Sequence, residues 1–68
     1  MENRIKELRD RMLLTQEQLA EMVHVSRQTI ISLEKGRYNP SILLAHSIAR
    51  VFGTDIESVF TFDEEEEE

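Results

Sequence analysis

The stretch Thr15–Gly36, TQEQLAEMVHVSRQTIISLEKG, carries the start and stop signals of two short helices in close succession. Thr15 can accept a hydrogen bond from an orphan backbone N–H one turn on, and Gln18 can reach back, so T-x-x-Q reads as a capping box. Leu19, Ala20 and Val23 then share one helix face. After the brief link His24-Val25, Ser26 is a second N-cap and opens RQTIISLEK. Gly36 ends that segment by supplying the left-handed residue at which helices commonly stop. Two helices this short, with two residues between them, must cross steeply, which is a helix-turn-helix.

The second helix divides its residues by face. Ile30 and Leu33, with Val25, form the inward side. Arg27, Gln28, Ile31, Ser32 and Lys35 form the other. A solvated helix face is usually rich in Glu and Lys, chosen for propensity and intrahelical pairing. Here a guanidinium, an amide, a hydroxyl and one aliphatic side chain stand together. Gln can bond adenine N6/N7, Arg can bond guanine O6/N7, and an aliphatic group can touch the thymine methyl. Taken alone, the face also fits an ordinary exposed helix, which must carry polar residues of some kind.

The pattern Thr15-Gln16-x-x-Leu19-Ala20, then Val25-Ser26-Arg27-Gln28-Thr29-Ile30, then Leu33-Glu34-x-Gly36, resembles the Cro/repressor-type helix-turn-helix family, also called the XRE family. The run Arg37-Tyr38-Asn39-Pro40-Ser41 after the glycine resembles it too, and the similarity extends from about Arg4 to Phe60. Among small members the chain is similar to the cytolysin-repressor type. The resemblance implies an all-α, lambda-repressor-like DNA-binding domain, a compact five-helix bundle around the central helix-turn-helix. It implies base-edge contact by Arg27, Gln28, Ile31 and Ser32, with double-stranded DNA as partner. Phosphate-backbone contact falls to Gln16, Thr29 and Lys35 and to the link residues Arg37, Tyr38 and Asn39; such contacts fix register without reading sequence. Gln16 would be aided by the N-terminal N–H groups of its helix. Tyr38 has a second reading, packing back onto the domain. At the turn the chain departs from the family, where glycine is frequent. His24 stands there instead, and strain of about 1 kcal/mol is expected from its left-handed backbone.

Outside the motif, Ile5, Leu8 and Met12 give helix one by periodicity over residues 2–13, with Asn3 available as its cap. Arg9 borders that stripe, and Glu34 holds a comparable border position on the third helix. By themselves they read as two surface charges; the resemblance implies an ion pair locking helix one to the recognition helix. Proline at 40 biases Asn39 away from helix, and Ser41 can cap helix four, Ile42–Phe52. Leu44, Ala45, Ile48, Ala49 and Phe52 make its inward stripe, and Gly53 ends it. Thr54-Asp55-Ile56-Glu57 reads as another capping box, opening a short helix with Ile56, Val59 and Phe60 inward. Val59-Phe60-Thr61-Phe62 alternates apolar and polar residues, the pattern of a short C-terminal strand. It would pair with its copy in a second subunit or fold back on the core. Similar small regulators dimerise through this segment, so a homodimer interface at Val59, Phe60 and Phe62 is expected.

Composition bounds the alternatives. Sixty-eight residues suit a single unit, read as a DNA-binding domain over 1–62 followed by an acidic disordered tail over 63–68. There is no cysteine, so disulfides and thiolate metal sites are excluded, and neither metal nor cofactor is expected. No apolar run approaches membrane length, which points to a cytoplasmic protein without a membrane partner. His24 and His46 form no nucleophile–base set, so no catalytic residues and no enzyme are expected, and no small-molecule ligand is inferred. The net charge of −6 argues against nucleic acid at first sight, since affinity comes largely from neutralising phosphates. Six of the fourteen acids lie in residues 63–68, however, leaving eight acids against eight bases in 1–62. Distribution then decides the matter, and Arg27, Lys35 and Arg37 lie at the proposed contact surface. The other function class is a protein-interaction module such as an antitoxin or adaptor, for which the acidic end would suit a basic partner.

Overall fold

Five helices follow one another in the computed structural model, which describes residues 1–62: α1 (Ile5–Arg11), α2 (Gln16–Met22), α3 (Arg27–Glu34), α4 (Ile42–Val51) and α5 (Ile56–Val59). The architecture is all-α. The acidic segment 63–68 lies outside the described residues. Side-chain oxygens open four of the helices. The Thr15–Gln18 capping box closes in both directions, at 3.0 and 2.8 Å. Ser26 accepts from Thr29 N at 3.1 Å, and Ser41 from Leu44 N at 3.1 Å. At α1 the cap position falls on Arg4, which offers no acceptor, and Asn3 Oδ1 instead accepts from Ile5 N at 3.1 Å. The helix is shorter than the expected 2–13, because residues 1–4 are drawn into other bonds.

The opening of α5 corrects the expected Thr54 capping box. Asp55 is the cap, accepting from Ser58 N at 2.9 Å. Thr54 belongs to the exit of α4, its N–H donating to Ala49 O at 3.0 Å. Hydrogen bonding from the Ser58 side chain, then from its backbone, lowers the Asp55 pKa below the ordinary carboxylate value. A depressed folded-state pKa gives a contribution present above the unfolded value, about 3.9, and lost as pH falls through the folded value. Asp55→Asn still caps the helix but does not titrate. Its acid denaturation curve should therefore be flatter than that of the parent below about pH 4.

Four helix ends share one device. After α1, α2, α3 and α4, the second residue past the helix takes a positive φ: Leu13 (58°), His24 (64°), Gly36 (74°) and Gly53 (70°). In each case its N–H and that of the next residue turn back onto the helix. The pairs are Leu13→Asp10 O with Leu14→Arg9 O, His24→Glu21 O with Val25→Ala20 O, Gly36→Leu33 O with Arg37→Ser32 O, and Gly53→Arg50 O with Thr54→Ala49 O. This is the Schellman arrangement, which satisfies orphan carbonyls. Glycine accepts it freely at two ends, whereas Leu13 and His24 bear the steric cost of a Cβ there. Leu13 is also 87% exposed and so has little packing to lose. Leu13→Gly is expected to stabilise the fold by about 0.5–1 kcal/mol, read as a higher denaturation midpoint in urea with an unchanged m-value.

All five helices contribute to one core: Ile5 from α1, Leu19 and Ala20 from α2, Ile30 and Leu33 from α3, Ala45, Ile48 and Ala49 from α4, and Val59 from α5, with Val23 and Phe60 beside them. Burying each large aliphatic or aromatic side chain contributes roughly 1.5–3 kcal/mol. Val59 and Phe60, expected at a dimer interface, are therefore buried within the single chain. Val59 occupies the last position of α5, and Phe60 follows it into the same apolar interior. The chain does fold back there, but onto its own beginning. Phe60 makes an antiparallel bridge with Asn3, with Arg4 N donating to Val59 O and Thr61 N to Glu2 O, both at 2.8 Å. The expected strand reduces to this single bridge, and of the three residues named for the interface only Phe62 keeps an exposed side chain, at 50%. Residues 1–3 also secure α3: Asn3 Nδ2 donates to Leu33 O at 2.7 Å, and the Met1 nitrogen to Gly36 O at 2.9 Å.

Candidate nucleic-acid interface

The surface of interest begins with the orientation of α3. Ile30 and Leu33 are fully buried, which turns the opposite side outward. Arg27, Gln28 and Lys35 are exposed there, with Ile31 and Ser32 half-buried between them. The Ser26 and Thr29 hydroxyls lie 3.0 Å apart, and either can donate. For Thr29 to offer its proton to a phosphate, Ser26 must be the donor of that bond. In the link to α4, Arg37, Tyr38 and Asn39 are all exposed; Tyr38, at 45%, does not pack wholly onto the domain.

Behind this face lies a buried ion pair. Arg9 Nε donates to Glu34 Oε2 at 2.9 Å and Nη2 to Glu34 Oε1 at 3.4 Å. The two side chains are only 10% and 9% exposed. Arg9 Nη1 donates further to Leu14 O at 2.9 Å, so the guanidinium also holds the loop between α1 and α2. Glu34 Oε1 accepts a third donor, Gln16 Nε2, at 3.1 Å. The first residue of α2 is thereby tied to the last residue of α3. Above this network an open depression is lined by Arg9, Thr15, Gln16, Glu17 and Arg27. Neither the Leu14 contact nor the Gln16 contact was evident from the sequence, because carbonyl acceptors and amide partners leave no spacing pattern. The sequence marks Asn3 as a helix cap; its second task, holding Leu33 O, depends on long-range packing.

Charge is sorted between the helices. On α1 and just before it, Arg4 pairs with Glu7 at 3.1 Å, Lys6 with Asp10 at 3.2 Å and Arg11 with Glu7 at 2.7 Å. Glu7 has its pKa lowered, first by the hydrogen bond from Arg4 and then by the Arg4 and Arg11 charges. Arg9 is committed to Glu34. By contrast Arg27, Lys35 and Arg37 form no ion pair among the described residues, and neither does Arg50 on α4. Three of the four unpaired cations thus belong to α3 or to the residues just beyond it.

Two short helices in contact, α2 and α3, with the second turned polar-side out and flanked by unpaired cations, define a class. A helix-turn-helix family profile matches residues 5–59, and the chain belongs to that family, as an XRE-type helix-turn-helix regulator. Relatives carry the same description. An HTH-type transcriptional regulator of Archaeoglobus fulgidus is 59% identical over 66 residues, 97% of this chain and 93% of the relative. The immunity repressor of Bacillus phage phi105 is 38% identical over 56 residues, 82% of this chain but 39% of the repressor. Among solved structures, the restriction-modification controller protein C.AhdI of Aeromonas hydrophila superposes with a TM-score of 0.76 at 28% identity, over 84% of this chain and 86% of the controller.

Proposed function

We propose that the chain is a cytoplasmic repressor that binds double-stranded DNA sequence-specifically as a homodimer, with α3 in the major groove and residues 1–62 as the DNA-binding unit. The observation that carries this reading is the sorting of cations. Arg4, Lys6 and Arg11 are paired with acids of α1 and Arg9 with Glu34, while Arg27, Lys35 and Arg37 remain for phosphates or base edges. The phage relative, by its name a repressor, supports the direction of regulation. Arg27, Gln28, Ile31 and Ser32 are assigned to base edges; Gln16, Thr29, Lys35, Arg37, Tyr38 and Asn39 to the backbone. A two-fold dimer implies half-sites about 34 Å apart on a pseudo-palindrome. With Val59 and Phe60 inside the monomer, a second copy has Phe62 and the exposed pair Ile42 and Leu43 to cover.

Selection of bound duplexes from random-sequence DNA, followed by gel shifts at two salt concentrations, tests the reading. Salt-sensitive, sequence-dependent retardation is expected. Gln28→Ala should change the ranking of sites, by about 1–3 kcal/mol at the base pair it reads. Lys35→Ala should weaken every site alike and make the salt slope shallower by about one. Identical behaviour of the two variants on selected and scrambled duplexes would refute the division of roles.

A further inference from the structure

We infer that Glu34 is a positioning residue: its carboxylate, neutralised by Arg9, holds the Gln16 amide so that the second N–H of Nε2 faces a DNA phosphate. The inference rests on the DNA-binding reading and adds to it a device inside the protein. A carboxylate on the helix that approaches DNA is at first sight a liability, because it repels phosphates. In this fold it is nine-tenths buried and receives two N–H groups from Arg9, so it presents no net charge outward. Its Oε1 then accepts from Gln16 Nε2 at 3.1 Å.

That single contact determines how Gln16 is oriented. An ionised carboxylate can only accept, so the amide nitrogen, not the amide oxygen, must face Glu34. One of the two N–H bonds is used there. The other diverges by the trigonal geometry of the nitrogen, and Gln16 lines the open depression together with Arg9, Thr15, Glu17 and Arg27. A phosphate placed there accepts from Gln16 with the adjacent unpaired Arg27 supplying charge. An untethered glutamine would lose much of its rotamer freedom on docking; here that ordering is completed when the chain folds. The backbone supports the same end, since the Thr15–Gln18 capping box fixes the helix start on which Gln16 sits.

The test removes the tether without leaving a charge stranded. Arg9→Met with Glu34→Met replaces the pair by unbranched apolar side chains, an exchange that folds often tolerate and that leaves net charge unchanged. Affinity for a duplex selected by the parent protein is measured for the parent, Gln16→Ala, the double-Met variant and the triple variant, with folding of each verified by circular dichroism at the same temperature. Gln16→Ala should weaken binding about tenfold. The double-Met change should cause a similar loss when Gln16 is present and less than about twofold when it is alanine, with the salt slope unchanged. Equal losses in both backgrounds overturn the proposal while leaving DNA binding intact; failure of the parent to retard any duplex at low salt overturns both. If the double-Met protein does not fold, the parent protein still decides. In its 15N-labelled form one Gln16 side-chain amide proton should be shifted downfield in the free state, and the other should shift on adding DNA. Two solvent-like resonances in the free protein overturn the tether.

Discussion

Glu34→Ala should lower the melting temperature by roughly 12 °C or more. The substitution strands Arg9, whose side chain is 10% exposed, with only the Leu14 carbonyl and a 3.8 Å approach to Asp10 as polar company. Leaving one member of a buried pair uncompensated costs about 3–5 kcal/mol. In a chain of this size each kcal/mol moves the midpoint by roughly 4–8 °C. No solvent discount applies, because both partners are nearly sealed from water. Arg11→Ala is the control. It breaks a shorter contact, 2.7 Å to Glu7, but the two side chains are 64% and 48% exposed, and such pairs contribute little. Thermal circular dichroism of both variants decides the point, and a small, matched loss in the two would mean that the buried pair does not support the fold.

Phe60→Ala is expected to leave the chain largely unfolded at 37 °C. Phe60 is 2% exposed and is among the largest wholly buried side chains. Truncating such a phenylalanine costs about 3–5 kcal/mol. A protein of this length has roughly 3–10 kcal/mol of stability in all. The same substitution separates two views of the C-terminal segment. If Phe60 were a contact between subunits, alanine would give a folded monomer in sedimentation; as a core residue it gives loss of helical signal at every concentration. Phe62→Ala, half-exposed, should remain folded.

The helix-turn-helix was legible because its punctuation is local. Thr15 with Gln18, Ser26 and Gly36 each act on backbone groups within one turn, so their identities alone place α2 and α3. The inward residues of those helices followed from 3.6-residue spacing, as did the outward side of α3. Met12 shows the limit of periodicity: it continues the stripe of Ile5 and Leu8, yet it is 47% exposed because α1 stops at Arg11. That stop was hidden, since Leu13 fills a position where glycine would have announced it. The strand-like alternation of Val59–Phe62 misled for a different reason. Period-two patterning cannot distinguish pairing with another chain from pairing with one's own first residues, and the latter lie more than fifty positions away. Cap choice at α5 was ambiguous because Thr54 and Asp55 are both good acceptors, and the exit of α4 claims the first. The Arg9–Glu34 contact was suggested only by resemblance, and its link to Gln16 was not visible from the residues at all.

The bond from Thr61 to Glu2 and the contacts of Asn3 and Met1 with Leu33 and Gly36 carry a consequence for synthesis. A polypeptide emerging from the ribosome cannot complete these contacts until position 61 has been translated and has cleared the exit tunnel. Nascent chains stalled short of that point would expose the seats of Val59 and Phe60 to water, and they should be sensitive to proteases while the released protein is resistant.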